Sequence, residues 1–548
     1  METKVETLGR GATVSESRAG TGRGSWRRWV PIVLVLAIGA GLRSAQYFAQ
    51  VDMWHDELAV ARNVEDRDLT GLLTRPLDHL QVAPVGFLAM LEATTATLGV
   101  TEAGLRFGPW LFGLISLLLF WRVAARFAEG TGLLVALALF AVSPALIWYG
   151  ASAKSYGSDV TVSLLLVWLA LRHLESPEDG RRGLLAAGIG ALLLLFSFPA
   201  VPTAAILAVL LVAAWWRRRP RSSLHPLLAL LFGWGAGIAA AGFVASGLVS
   251  DTTDAFMRAF HAGRFPPAEI SGALAWAARS LYEGFAHSLV FFPPSNVVLV
   301  AIVALPLLLG VIGLARLVRR SWPKAAILLA PPVAGLLAAA FHLLPFGQRL
   351  GLHAAWPFLV LAGAGLHELA GMATRGWRWI PRSLAAVTGL PLVVIVLLAA
   401  RPPYHGPSAR GVVEELAGQV REGDRIYVYT QARHDMAFYG GRAGLERWVQ
   451  GELHPEGPRG YLREVDALRG SSRAWFLWLD LDDSGRPQWI RDFLGEIGTK
   501  LRAIGENESG SAGAALYDLS DPERLEAASA ESFPLPTPVS RPPQGTRN

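Results

Sequence analysis

A polytopic α-helical membrane protein carrying a small C-terminal α/β domain on the outer face is the fold class this sequence predicts, on three observations. The 548-residue chain is 52% apolar and only 17% charged, with a mean hydropathy of +0.36, which is the balance of a chain that lives in lipid. Apolar runs of bilayer length recur between short charged loops, and arginine is concentrated in every second loop. The net charge of +6 therefore sits at membrane boundaries rather than along one face, which points to orientation in a bilayer and away from nucleic acid. Cysteine is absent, so disulfides and thiolate metal sites are excluded. Any chemistry falls to carboxylates, His, Lys, Arg and hydroxyls.

Residues 1–28 are polar, Gly- and Ser-containing and Arg-rich, the composition of a disordered cytoplasmic tail. The run from Trp29 to about Ala49 reads as a first span, being too long for the h-region of a cleaved signal peptide. Further spans are expected near 107–121, 131–149, 157–172, 183–198, 200–216, 226–248, 296–315, 325–342, 352–371 and 383–400, about eleven in all. The loops holding Arg122 and Arg126, Arg172, Arg181 and Arg182, Arg217 to Arg221, Arg316 to Lys324, and Arg375 to Arg382 are alternate ones, and the short loops between them carry only Lys154 and Arg349. The positive-inside rule puts the basic set and the N-terminus in the cytoplasm of a bacterial inner-membrane protein. Residues 50–106, 150–156, 249–295, 343–351 and everything after 401 then lie outside. Counting 84–98 as a span would reverse that asymmetry, so 58–70 and 84–98 are expected as helices on the outer membrane surface.

The transmembrane domain should end near 402. From 403 to about 525 charge and turn signals become frequent, and Asp424–Thr430, Ala474–Leu481 and Ala514–Leu519 read as strands with a helix over Gln488–Ile504. Residues 526–548 are a Pro-rich tail expected to be disordered.

Few polar residues fall on the outer face, and three stretches stand out. Trp54-His55-Asp56-Glu57 follows the first span; its carboxylates can act as a general base, hold a divalent cation, or merely mark the membrane boundary. In Tyr149–Asp159, Lys154 opposes the charge trend and suits a phosphate. Tyr156 and Asp159 are three apart on one helical face there, with Asp159 about a turn inside the apolar region. The plainer reading is a Lys154–Asp159 pair. Arg349 enters a long span at headgroup depth, where its planar fork fits phosphate oxygens or snorkels to lipid. Arg106, after a cap-like Thr101-Glu102, is a similar cation. His434-Asp435 reads as a solvated surface pair, and Glu65, Asp66 and Asp68 as the wet end of a surface helix. No Walker loop, GxGxxG, HExxH or GxSxG is present.

WHDE after the first span, the segment opened by Gln81-Val-Ala-Pro84, and SPALIWYGASAKSYGSDV together resemble the GT-C membrane glycosyltransferases of the family 39 type, which includes protein O-mannosyltransferases and aminoarabinose transferases. Order and spacing match over roughly 29–175, and the Arg349 loop extends the likeness to about 400. The usual double proline is Ala83-Pro84 here, and the acidic-Ala-Arg tripeptide is Ser152-Ala153-Lys154. The resemblance implies transfer of a sugar from a polyprenyl-phosphate donor to a hydroxyl of a lipid, glycan or protein acceptor, with inversion. It implies Asp56 as base, Glu57 in support, and Lys154, Tyr156, Asp159, Arg349 and Arg106 around the sugar and lipid phosphate. A transporter or flippase is the rival reading, though no inverted repeat supports it.

Overall fold

The computed structural model describes residues 26–218, 221–290, 297–373, 401–454, 457–481, 485–505, 511–525 and 528–534. Most of the expected N-terminal tail, the 383–400 span, the Arg375–Arg382 loop and most of the Pro-rich tail lie outside them.

Long apolar helices form wherever the sequence offers about twenty residues without charge, because a helix satisfies its own backbone in lipid. Among the described residues six helices are long and apolar enough to cross a membrane, or seven if the bent pair Gln348–Ala354 and Trp356–Gly371 is one span. They include α1 (Trp26–Phe48), α5 (Glu102–Ala124), α8 (Tyr156–Glu175), α10 (Ala200–Arg218) and α11 (Leu224–Leu248). Leu118, Val209, Phe232 and Phe243 stand exposed on them, as lipid-facing side chains do. The chain is an integral membrane protein.

The described count falls short of the expected eleven for local reasons. Two expected spans run together as α14 (Val297–Ala340), kinked at Ser321. The 183–198 run yields only the fourteen-residue α9 (Gly180–Leu193). The 131–149 run breaks into α6 (Gly130–Val142) and α7 (Pro144–Tyr149). Pro144 has no N–H for the Phe140 carbonyl, and the buried Arg43 of α1 donates to Phe140 O at 3.3 Å and Ala141 O at 2.8 Å instead.

The outer segment folds as α2 (His55–Asp66), α3 (Leu69–Thr74) and α4 (Val85–Leu98). Beyond residue 401 lies a five-stranded sheet of order β2-β1-β3-β5-β4, formed by β1 (Arg425–Val428), β2 (Val449–Gln450), β3 (Ala474–Leu479), β4 (Thr499–Ile504) and β5 (Ala512–Asp518). β1 pairs in parallel with β2 and β3, and β5 is antiparallel to β3 and β4. The helix expected over 488–504 stops at Ile497; Gly498 ends it and the following residues form the exposed edge strand β4.

Both sheet faces are buried. Tyr427, Phe476 and Trp478 pack under the helices Arg459–Asp466 and Arg486–Ile497. Ile426, Val428, Trp475 and Leu477 share a core with Leu58, Val60 and Val64 of α2 and Phe87, Leu88 and Leu91 of α4. The apolar side of α2 thus faces protein rather than a membrane surface. Arg410 ties the two parts further, reaching Asp52 and Glu102 at 3.3 Å each.

Candidate functional site

The site grows from the start of α2. Trp54 caps the helix, and the Glu57 carboxylate, three residues on, turns back toward the Trp54 N–H at 3.5 Å. Glu57 is fully buried. Arg106 of α5 grips it through Nε at 2.9 Å and Nη2 at 2.6 Å, and the Ala153 N–H donates to it at 2.6 Å. The same guanidinium donates to the carbonyls of Val51 at 2.5 Å and Asp52 at 3.1 Å. This pair is closed on itself and pins α1–α2, α5 and the 150–155 loop together. Arg106, 2% exposed, spends four of its five N–H donors on these partners and turns away from solvent, contrary to the reading of it as a phosphate cation. Thr101 caps α5, as its position suggested, by accepting from Gly104 N.

Asp56 points elsewhere, because successive residues of a helix are about 100° apart. Its carboxylate meets Arg349 Nη2 at 3.2 Å, with both side chains partly exposed. Arg349 is delivered by a 3₁₀ turn, Gln348–Ala354, whose entry at Gly347 has φ +124, open only to glycine. The guanidinium lies 5.2 Å from the Trp54 ring centroid and 5.8 Å from that of Tyr156. Burial by itself would raise the Asp56 carboxyl, but Arg349, Lys154, His55 and His261 outweigh it and hold it below the usual carboxylate range. Burial likewise lowers Lys154, partly offset by Asp56. It also lowers His261, to about 4, with Arg349 and Arg264 adding to the effect.

Lys154 donates to Gln81 Oε1 at 2.8 Å rather than pairing with Asp159. Asp159 is buried one turn into α8, where Ser155 Oγ approaches it at 3.4 Å and its Oδ1 has no hydrogen-bond partner. Tyr149 and Tyr156 meet edge to face, 5.1 Å apart, and both hydroxyls face Arg349. The structure thus brings Asp56, Lys154, Tyr156 and Arg349 to one mouth, keeps Asp159 behind it, and turns Glu57 and Arg106 inward. Among the described residues no group of three His, Cys, Asp or Glu could hold a metal ion.

Several neighbours were missed from sequence. Gln81 and Tyr149 sat inside quoted motifs but gave no charge signal. His261 comes from the 249–295 loop, which packs over the Arg349 turn through Phe346 N to Arg264 O at 3.1 Å. His434-Asp435 is not a solvated pair: the two are 1% and 0% exposed. Asp435 accepts from Ala409 N at 2.7 Å, and His434 meets His55 and His79 edge to face, each ring centroid 4.7 Å away.

No protein-family model matches the sequence, and no curated protein gives a significant match. Solved structures do match in fold. ArnT from Cupriavidus metallidurans in the apo state superposes with a TM-score of 0.51 at 13% identity, over 90% of this chain and 98% of that one. The same protein bound to undecaprenyl phosphate gives 0.51 at 14%, over 89% and 98%. An Archaeoglobus fulgidus oligosaccharyltransferase solved with Zn and sulfate gives 0.50 at 13%, over 88% and 73%. The chain has the GT-C fold.

Proposed function

We propose that this GT-C-fold protein transfers a sugar from a polyprenyl-phosphate donor to a hydroxyl acceptor outside a bacterial inner membrane, with inversion and with Asp56 as general base. The N-terminus is then cytoplasmic and the C-terminal domain extracytoplasmic, as the arginine loops require. The observation that carries the reading is the mouth itself: one part-exposed carboxylate faced by Arg349, with Lys154 close by, at one end of the spans. ArnT, whose fold this chain shares, has been solved with undecaprenyl phosphate in it.

The arrangement suits a displacement in which the acceptor oxygen attacks the anomeric carbon, its proton passes to Asp56, and the bond to phosphate breaks with its electron pair leaving on the phosphate. Arg349 and Lys154 then hold the leaving anion. An Asp56 depressed by those cations is a poor base in the empty site. A bound lipid phosphate competes for the same cations, and the carboxyl rises toward the range where it accepts a proton. Tyr156 and Asp159 line the sugar side in this reading. Glu57 and Arg106 act as positioning residues, holding the turn that aims Asp56.

The test is release of polyprenyl phosphate from a labelled lipid-linked sugar by the purified protein in nanodiscs. Asp56→Asn should abolish release while undecaprenyl phosphate still binds; a fully active Asp56→Asn protein, or vectorial uptake of the label without bond cleavage, would sink the assignment.

A further inference from the structure

Beside the mouth, at His55, the 50–98 segment meets the C-terminal sheet along a seam lined by Arg433 and three histidines. β1 and β3 both end there. Leu481 N donates to Gln431 Oε1 at 2.8 Å, and the Gln431 carbonyl accepts from His55 Nδ1 at 3.2 Å. The C-terminal ends of parallel strands are where α/β sheets bind ligands. His434, buried, meets the rings of His55 and His79 edge to face. His79 and Leu80 are consecutive non-glycine residues at φ +62 and +56, a costly backbone that brings His79 to His434 and Gln81 to Lys154.

Arg433 lies on this seam, half-buried. It donates from Nε to His434 Nε2 at 3.2 Å and from Nη1 to Thr430 Oγ1 at 3.2 Å, and among the described residues no carboxylate pairs with it. Among the described residues three nearby acids are already taken. Asp66 pairs with Arg62 at 3.2 Å, Asp78 with Arg67 at 2.5 Å and Asp56 with Arg349 at 3.2 Å. Arg62 and the three imidazoles add only positive or neutral groups, and His55 feels the charge of Lys154 as well as that of Arg433. A half-buried guanidinium with hydroxyl and imidazole partners alone is an uncompensated charge. Its free fork fits a phosphate or carboxylate.

We infer that the seam formed by Arg433, His434, His55 and His79 is an oxyanion site that binds an acidic group, phosphate or carboxylate, carried by the acceptor. It rests on the transferase reading above and deepens it: His55 adjoins Asp56, so an acceptor anchored there by its acidic group can bring a hydroxyl to the base. The C-terminal domain then selects the acceptor.

The test uses the full-length protein in phosphatidylcholine nanodiscs, with Lys154→Met as background so that small phosphates do not report the donor mouth. Binding of glycerol 1-phosphate and of glucuronate is titrated by thermal unfolding, with undecaprenyl phosphate measured separately on the Lys154-containing protein. Saturable binding of either compound is expected, weakened roughly tenfold or more by Arg433→Gln, and less so by Arg433→Lys. Undecaprenyl phosphate should bind the Arg433→Gln protein as it binds the parent. Absence of binding, or equal binding to Arg433→Gln and parent, would overturn the site. Displacement of both compounds by phosphatidylglycerol added to the nanodiscs would overturn its assignment to the acceptor. If undecaprenyl phosphate fails to bind while Arg433-dependent anion binding holds, the donor reading fails and the oxyanion site stands.

Discussion

Asp56 and Glu57 are neighbours on α2, and each faces an arginine. Glu57 is wholly buried against Arg106, with Ala153 N–H and the Val51 and Asp52 carbonyls completing the cluster. Asp56 is 23% exposed and meets Arg349 through one contact, leaving donors and lone pairs over. Nine residues further on, Glu65 meets Arg442 at 3.1 Å, both side chains exposed. Chemistry needs a charged group that is desolvated enough to be strong yet incompletely partnered. Of these three acids only Asp56 meets both conditions.

The comparison is sharpened most by Asp56→Asn. Loss of the base should lower transfer about 10²- to 10⁴-fold, while the unfolding midpoint shifts by less than about 1 kcal/mol because the pair is part-exposed. Turnover and thermal unfolding on the same preparation check both halves. A large loss of stability would place Asp56 with Glu57 among the scaffold residues.

Arg106→Met should do the reverse. It strands a buried carboxylate, at a cost of about 3–5 kcal/mol, read as a lower unfolding midpoint and poor yield. The double variant Glu57→Leu/Arg106→Met should recover part of that stability, because the orphaned charge is gone. A stable Arg106→Met protein lacking only donor binding would return Arg106 to the phosphate site.

How much of this division could be read from the sequence depends on range. Arginine-loop arithmetic put Asp56, Lys154 and Arg349 on one face, and that is where the structure gathers them. The inward turn of Glu57 follows from helix geometry, since adjacent residues cannot share a direction; what the dipeptide hides is the partner, forty-nine residues on. The burial of His434 and Asp435 was illegible because their neighbours come from residues 52–79 and 408–409, and local polarity says nothing about such contacts. The strand at 499–504 was hidden by apolar spacing that suits either period.

Acid should separate the open pair from the closed one. Arg349 and Lys154 hold the free Asp56 carboxyl below the ordinary range, so the acid limb of kcat/KM should fall below about pH 4. With donor bound those cations are engaged, and the limb of kcat should lie higher. Lys154→Met should weaken undecaprenyl phosphate roughly tenfold and raise the kcat/KM limb. The sign for stability is the same: a depressed folded-state carboxyl stabilises above its unfolded pKa, and the contribution fades as pH falls through the folded value. Coincident limbs in kcat and kcat/KM would remove the proposed coupling between donor and base.

The smallest effect is expected at the solvated pair. Arg442 keeps its place without Glu65: its Nη2 also donates to Val100 O at 2.9 Å, and its guanidinium lies 3.5 Å from the Phe438 ring centroid. Glu65→Gln then removes only an exposed ion pair, worth less than about 0.5 kcal/mol and screened further by salt. Unfolding in low and high salt should show the variant within that margin of the parent, with transfer unchanged. A larger, salt-sensitive loss would mean that this contact, and not the apolar core shared by α2 and β3, fixes the C-terminal domain over the mouth. The geometry favours the core, where Leu58, Val60, Trp475 and Leu477 are all fully buried.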